Sequence, residues 1–236
     1  MRSQDVNCVR HSIAQIVPTV AAAYTRALFT IERLRMTALI AGFTLSLSLI
    51  LAIGAQNAFV LKQGLKRQYV LLVTSICALS DALLMMAGVA GFGALVTQFP
   101  SIEIVARYAG ATFLLVYGTR SFISARSQQH GLDPAGSTVH SAWQTALTCL
   151  AFTWLNPHVY LDTLVLIGSI STQYEDKFMF ALGACAGSLV FFYALGYGAR
   201  LLTPIFHQPI SWQILEVLIG IVMYSIAATL LLGLPL

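Results

Sequence analysis

From about residue 37 to its end, the chain alternates between long apolar segments and short polar stretches. Each apolar segment has about the length that an α-helix needs to cross the hydrocarbon core of a bilayer, roughly 20 residues. Only helices satisfy their backbone hydrogen bonds in lipid over such lengths, so the pattern predicts an all-α integral membrane protein with about six transmembrane helices. The predicted spans are 37–61, 69–97, 102–123, 142–170, 178–202 and 212–233.

The six spans form two groups of three, separated by a polar loop at 124–141 that contains the helix breakers Gly131 and Pro134. In each group the first span carries polar residues and the middle span is rich in glycine. Gly183 and Gly187 have the GxxxG spacing that permits close contact between helices. Because three is an odd number, equal halves would have opposite orientations in the membrane. The pattern therefore predicts two inverted repeats of three helices.

The fourth span contains a polar interruption within the stretch AFTWLNPHVYLDTLVL. Asn156, Pro157 and His158 lie there in succession. Proline removes a backbone donor, so a kinked or broken helix is expected at this point. His158 is a candidate proton relay, although a single histidine in such a segment is more often structural.

The first span contains a partial counterpart in LAIGAQNAFVLKQG, where Gly54, Gln56 and Asn57 interrupt the apolar sequence. Paired interruptions at matching positions of two halves point to a transporter site. The amides Gln56, Asn57 and Asn156 are predicted either to bind a zwitterion or to cap the broken helix ends. Interhelical hydrogen bonding is the structural alternative.

Two aspartates, Asp81 and Asp162, lie deepest in apolar sequence. An isolated buried carboxylate is costly, so it forms a pair, takes up a proton or faces water. Lys62 is expected in the loop after the first span, and Glu216 is expected within reach of the interface. With no fixed cation at the depth of the aspartates, we predict an acidic cavity that receives a cation or a proton. The alternative is a protonated aspartate that only links two helices.

The composition supports a membrane protein and excludes other classes. The chain is 58% hydrophobic and 9% charged, whereas a soluble domain averages about 25% charged residues. We expect the lipid bilayer as a partner and no nucleic acid, because the basic residues form no run. The four cysteines form no CxxC pair, so we predict apolar packing and neither a metal site nor a cofactor. No nucleophile–base set or nucleotide-binding motif appears, so the chain is predicted not to be an enzyme.

Residues 1–35 differ from the rest, with five arginines and few apolar runs. We therefore divide the chain into an N-terminal extension, 1–35, and a transmembrane transporter domain, 36–236. The extension is either a basic cytoplasmic tail or the result of a misplaced start, and we favour translation from Met36.

Basic residues also bear on orientation. Lys66, Arg67, Arg126 and Arg200 follow spans on the same predicted side, which the positive-inside bias makes cytoplasmic. Six spans then place both ends of the core outside. A cytoplasmic tail would require a five-span arrangement, which stays open.

At the two interruptions the chain resembles the LysE-type amino acid exporters, and most closely their arginine exporter branch. GAQNAFVLKQG at 54–64 is similar to the family's GPQNxFV stretch and QG turn, with Ala55 in place of the proline. TWLNPHVYLDT at 153–163 matches the specific signature TWLNPHxYLDT, and LSDALL at 79–84 is similar to the ISD-like turn. The resemblance extends from Met36 to the C-terminus and supports Met36 as the natural start.

The resemblance implies secondary export of basic L-amino acids, arginine and also lysine, across the bacterial inner membrane. The proton or the membrane potential is the expected driving force, since no ATP site is present. The alternatives are an exporter of neutral amino acids or homoserine lactones from a sister family, an intramembrane enzyme, and a membrane assembly protein. The oligomeric state stays open, with a homo-oligomer among the options.

Overall fold

The computed structural model describes residues 29–51, 54–92, 100–127 and 141–232. Within these ranges every regular element is a helix, as the apolar pattern predicts. Predictions that concern residues 1–28 and most of the loop at 124–141 lie outside the described residues. Residues 29–35, the described part of the predicted extension, belong to the first helix.

The described chain contains eight helices, two of them with π-helical turns. The first four are α1 Phe29–Ile50, α2 Ala55–Lys66, α3 Val70–Ala87 with the π-helical turn Gly88–Phe92, and α4 Pro100–Ser127. Next come α5 Ala142–Trp154 and α6, which consists of Pro157–Tyr160, the π-helical turn Leu161–Leu166 and Ile167–Ser171. The last two are α7 Lys177–Gly198, followed by the 3₁₀ helix Ala199–His207, and α8 Pro209–Leu232.

The predicted count of six helices is not confirmed, because the first and fourth predicted spans are each divided in two. The first predicted span consists of the end of α1 and the start of α2. The fourth ends as α5 at Trp154 and resumes as α6 at Pro157. Both divisions coincide with the polar interruptions. Each of the other four predicted spans corresponds to one helix.

Four of the described helices are long and apolar enough to cross a membrane, namely Phe29–Ile50, Val70–Gly91, Lys177–Phe206 and Pro209–Leu232. Their outward faces carry large apolar side chains that lipid would cover. The chain is therefore a multi-pass membrane protein. Helix α4 is also long, at 28 residues, but it contains three arginines, and α5 and α6 are short.

Helices α3 and α7 pack together, as do α4 and α8. The first pair is antiparallel, because Ser75 contacts Tyr193 at 2.9 Å between hydroxyl oxygens, whereas Ala82, later in α3, contacts Cys185, earlier in α7. Each pair joins helices at matching positions of the two predicted halves. The central packing therefore links one half of the sequence with the other.

Glycines bring α1 and α7 into close contact. A Cβ atom at Gly183 would overlap the carbonyl oxygen of Leu39, and one at Gly42 would overlap the carbonyl oxygen of Phe180. Gly187 also faces the backbone of α1. The close helix contact predicted from the GxxxG spacing is confirmed, and α1 is the partner.

The core between the interrupted helices is aromatic. The ring of Phe152 in α5 lies 5.2 Å from that of Phe59 in α2 and 4.8 Å from that of Phe113 in α4, measured between centroids. Cys77 and Cys149 are buried in the same core as free thiols, with their sulfur atoms 3.4 Å apart. The packing role predicted for these two cysteines is confirmed. Helices α2 and α5, one from each half, are thereby held together beside the interruptions.

Candidate functional site

Asn57 spans the first interruption. Its Nδ2 donates to the carbonyl oxygen of Ile50 at 2.6 Å, so a side chain of α2 satisfies one of the carbonyls at the end of α1. Gly54 is the N-cap residue of α2 and has no side chain with which to cap the first turn of that helix.

The second interruption is capped from both sides. Leu155 ends α5, and Asn156 is the N-cap residue of α6, where its Oδ1 accepts a hydrogen bond from the backbone N–H of His158 at 3.1 Å. Pro157 is the first residue of α6, a position that tolerates proline because its missing N–H would have no intrahelical partner. Pro157 thus begins a new helix instead of bending a continuous one.

The hydroxyl group of Tyr160 donates to the carbonyl oxygen of Trp154 at 2.6 Å. This contact repeats the arrangement of Asn57 and Ile50, since a side chain after the interruption satisfies a carbonyl before it. At both interruptions, a side-chain hydrogen bond therefore links the end of one helix to the start of the next. Sequence reasoning missed the role of Tyr160, because a tyrosine in such a segment usually packs or marks an interface.

Asp81 lies at the contact between α3 and α7. Its side chain is 4% exposed, and the Oγ of Ser188 donates to its Oδ2 at 3.0 Å. The adjacent Ser80 accepts a hydrogen bond from Nε1 of Trp154 at 3.2 Å, which ties α3 to the last turn of α5. An ionised carboxylate has about four acceptor positions. One hydroxyl donor leaves most of them available for a cation or a proton.

Asp162 lies in the π-helical turn Leu161–Leu166, half-buried. This turn packs against α3, the helix that carries Asp81. The structure therefore places the two aspartates, which come from opposite halves of the sequence, on elements that are in contact. π-Helical turns often occur at functional sites, because the extra residue redirects the side chains around it.

Two further candidates have buried nitrogen atoms without a partner. Gln56 is 8% exposed, and its Nε2 has no nitrogen or oxygen partner among the described residues, although the side chain lies near the Cys77 thiol. Nε2 of His158 also has no hydrogen-bond partner within the part of the chain that is described. A buried donor without a partner costs free energy, so both atoms are suited to binding a ligand.

A buried ion pair lies near the other end of α2. Nζ of Lys62 is 2.6 Å from Oε1 of Glu216 in α8, and their side chains are 13% and 1% exposed. The expectations that Lys62 lies in a loop and that Glu216 reaches the interface are wrong, because α2 continues to Lys66 and packs against α8. Lys62 is therefore a largely buried cation that the sequence did not reveal, and it pairs with Glu216 and with neither aspartate.

The ion pair lies beside an aromatic ring, and the hydrogen bonding of its carboxylate is incomplete. Nζ of Lys62 lies 5.7 Å from the centre of the Tyr117 ring. Oε2 of Glu216 is buried and has no hydrogen-bond partner in the described ranges. The sequence does indicate that Lys62 lies in a helix, because no helix breaker separates Asn57 from Lys62. The half-helix that starts at the interruption is therefore expected to include the lysine.

Comparisons with known proteins agree with this arrangement. Residues 47–234 match the family described as LysE type translocator. The arginine exporter protein ArgO of Serratia proteamaculans is 44% identical over 191 residues, which cover 80% of this chain and 93% of that protein. Putative amino-acid transporters of Mycobacterium bovis and Mycobacterium tuberculosis are each 42% identical over 192 residues, or 80% of this chain and 94% of theirs. No solved structure matches the chain.

Interrupted helices around buried carboxylates, in an all-helical multi-pass protein, define the class as a membrane transporter. The chain belongs to the family of LysE type translocators, since the match covers most of its length. The resemblance inferred from the two interruptions is confirmed. A translocator moves its solute without transforming it, so the protein is not an enzyme, as predicted.

Proposed function

We propose that this protein exports basic L-amino acids, L-arginine first and L-lysine second, from the cytoplasm across the bacterial inner membrane. The observation that carries the proposal is the environment of Asp81, a buried carboxylate whose one hydrogen-bond donor among the described residues is the Ser188 hydroxyl. The helix that carries Asp81 also packs against the turn that contains Asp162. The name of the Serratia relative, an arginine exporter protein, supports arginine as the substrate.

The cationic end of the substrate binds the aspartates. A guanidinium group donates two parallel hydrogen bonds to one carboxylate, and an ammonium group offers a point charge. Lys62 does not compete for Asp81 or Asp162, because its ammonium group is held by Glu216 at 2.6 Å. A cation with hydrogen-bond donors is therefore the ligand that the two aspartates need.

The α-carboxylate end of the substrate binds at the first interruption. The start of a helix favours an anion, and α2 begins after Gly54, an N-cap residue without a side chain. Gln56 supplies a further donor through its Nε2, which has no nitrogen or oxygen partner in the part of the chain that the structure describes. Gly54, Asn57, Asn156 and Pro157 keep the helix ends open around the substrate.

Export is secondary-active and driven by the proton gradient, because a negative interior opposes the exit of a cation by itself. When the substrate leaves toward the outside, a proton replaces it on Asp81 or Asp162 and is released on the cytoplasmic side. His158, whose Nε2 has no partner in the described part of the chain, passes the proton on. Exchange of one proton for one singly charged cation moves no net charge, so such a cycle is not opposed by a negative interior.

Two inverted repeats of three spans provide the framework. In this arrangement the pairs α1–α2 and α5–α6 each cross the membrane as one interrupted span. The pairing of α3 with α7 and of α4 with α8 supports it, since each pair joins helices at matching positions. Residues 36–236 form the transporter domain, with 1–35 as an N-terminal extension.

The test is uptake of labelled amino acids into inverted membrane vesicles, with and without a protonophore. Arginine uptake should be saturable and should fall at least about ten-fold in Asp81→Asn and in Asp162→Asn, because a hydrogen bond to a charged group contributes about 1.5–3 kcal/mol. Asp→Glu variants at these positions should keep part of the activity. Asp176→Asn is the matched control, since Asp176 lies outside the spans, at the N-cap of α7.

Uptake of neutral amino acids without basic ones would replace this proposal with a neutral amino acid exporter. Normal arginine uptake by both Asn variants, at equal membrane levels, would make the aspartates structural links between helices. Arginine uptake that the protonophore leaves unchanged would remove the proton from the cycle and leave the substrate's own gradient.

A further inference from the structure

A cavity of ≈ 560 Å³ opens where the turn between α2 and α3 meets the end of α7. Its lining includes Arg67, Tyr69, Leu71, Ser75, Tyr197 and Arg200. Neither aspartate lines this cavity, and Ser75, its last lining residue on α3, lies six residues before Asp81, or about 9 Å along the helix. The proposed export cycle makes no use of this cavity.

The cavity is strongly cationic. Arg67 and Arg200 are both exposed, and the lining contains no aspartate or glutamate. The guanidinium group of Arg200 lies 4.8 Å from the centre of the Tyr197 ring, which holds it over the cavity wall. Neither arginine forms an ion pair with a carboxylate in the described ranges. Two guanidinium groups that have no carboxylate partner among the described residues favour the binding of an anion in this cavity. The planar fork of N–H donors on a guanidinium group matches the oxygen atoms of a phosphate.

An apolar face of α3 continues from the cavity. Leu71 lines the cavity and is 59% exposed, and Leu79 and Leu83 are 70% and 61% exposed. Spacings of four and eight residues place all three on one side of the helix. From Leu71 to Leu83 this face extends for about 18 Å, close to the roughly 15 Å of hydrocarbon in one leaflet.

We propose that this cavity binds the phosphate of an anionic phospholipid of the phosphatidylglycerol type, with one acyl chain along Leu71, Leu79 and Leu83. A zwitterionic headgroup would bring an ammonium group toward two guanidinium groups, so the anionic lipid is preferred. Basic pockets between transmembrane helices are suited to such headgroups. The bound phosphate would join the end of α2, next to Arg67, to the end of α7, next to Arg200.

The test uses the full chain, purified in a non-ionic detergent. Native mass spectrometry and thermal unfolding are recorded with phosphatidylglycerol, with phosphatidylcholine and with inorganic phosphate. Phosphatidylglycerol should stay bound and raise the unfolding temperature, whereas the other two should not. Arg67→Gln/Arg200→Gln should weaken phosphatidylglycerol binding at least about ten-fold, given about 1 kcal/mol for each arginine near an anionic lipid.

Arg120→Gln/Arg126→Gln is the matched control, because it removes the same charge from two exposed positions of α4. An equal loss in the control would overturn the proposal, since general attraction would then explain the binding. Equal binding of phosphatidylcholine by the unmodified protein would also overturn it. Stabilisation by inorganic phosphate alone would replace the lipid with a free anion. If the double variant fails to fold, Arg200→Gln tests the same point while the turn at Arg67 stays intact.

Discussion

Ser188 donates from its Oγ to Oδ2 of Asp81 at 3.0 Å, and the two residues occupy the same position in their helices. Asp81 lies eleven residues after Val70, the first residue of α3, and Ser188 lies eleven residues after Lys177, the first residue of α7. Such a contact would follow from the two inverted repeats that we propose, because α3 and α7 are antiparallel. The buried carboxylate receives its donor from a helix of the other half of the sequence, and that donor is neutral.

We predict that arginine stabilises Ser188→Ala more than it stabilises the unmodified protein. The substitution removes the hydroxyl donor from Asp81, which should cost about 1–3 kcal/mol. A bound guanidinium group supplies new donors to the same carboxylate, so its effect should be larger where the serine is missing. The measurement is the unfolding temperature of the purified protein as a function of arginine concentration.

Ser80→Ala serves as the control for this measurement. Ser80 is adjacent to Asp81 but accepts its hydrogen bond from Trp154, so arginine should stabilise this variant and the unmodified protein equally. Equal arginine shifts for Ser188→Ala and the unmodified protein would mean that the substrate does not use the acceptor position that Ser188 occupies.

The buried ion pair leads to a second prediction. Removal of one charge from a buried pair costs about 3–5 kcal/mol, whereas replacement of both partners is much less costly. Lys62→Met should destabilise more than Glu216→Gln, because Glu216 is 1% exposed and Lys62 is 13% exposed and closer to water. The double variant Lys62→Met/Glu216→Gln should recover most of the stability. Thermal unfolding of the four proteins gives the double-mutant cycle.

Export by these variants shows what the pair does. If the double variant regains both stability and arginine export, Lys62 and Glu216 serve to hold α2 against α8. Single variants as stable as the unmodified protein would contradict the buried ion pair itself.

The interruptions and the two aspartates were predictable from the sequence for one physical reason. Pro157, Asp81 and Asp162 lie in apolar segments, where a missing backbone donor or a carboxylate is costly. Such residues are easily recognised because they interrupt the hydropathy pattern of the chain. The grouping into two sets of three spans also indicated that residues from both halves would meet, and Asp81 does contact Ser188 of the other half.

The ion pair of Lys62 with Glu216 was not predictable, because each residue taken alone has an ordinary explanation. Lysine and glutamate are common near the ends of membrane spans, where they reach water. Only the packing of α2 against α8 buries them, and that packing depends on the division of the first predicted span. The helix count failed at the same place, because hydropathy does not distinguish one long span from two half-helices.

A third prediction concerns the N-terminal extension. A chain that starts at Met36 should insert and export arginine like the full chain. It lacks Arg35, whose Nε donates to Oδ2 of Asp176 at 2.8 Å, but this pair is partly exposed, and such pairs contribute little. Asp176 also keeps its bond from the N–H of Met179 at 3.0 Å. Export assays of both chains at equal membrane levels are the measurement, and loss of export by the shorter chain would contradict the prediction.

Arg35→Gln isolates the ion pair in the full chain. The Arg35 guanidinium, and next the N–H of Met179, hold the pKa of Asp176 below its usual range. A lowered pKa stabilises the folded protein above the unfolded pKa of aspartate, about 3.9, and the effect disappears as the pH falls through the lower folded value. The stability difference between Arg35→Gln and the unmodified protein should therefore be present at neutral pH and vanish in acid. A difference that stays constant with pH would show that Asp176 is not the partner.

The last prediction concerns the second interruption. Pro157 begins α6 because it has no N–H to donate to the carbonyl four residues earlier. Alanine at this position supplies that donor, so α5 can continue through Leu155 and Asn156 and close the gap between the half-helices. We expect Pro157→Ala to lower arginine export at least about ten-fold, the effect of roughly 1.4 kcal/mol, while the amount of protein in the membrane changes little.

Pro209→Ala is the matched control, because Pro209 is also the first residue of a helix, α8, but lies away from both interruptions. It should insert and export normally. The mechanism requires the interruption and not merely a proline. Arginine export should therefore be lower in Pro157→Ala than in Pro209→Ala. A stable Pro157→Ala protein that exports arginine at the unmodified rate would mean that the interrupted helix has no part in transport. In that case arginine would have to reach Asp81 and Asp162 while α5 and α6 form one continuous helix.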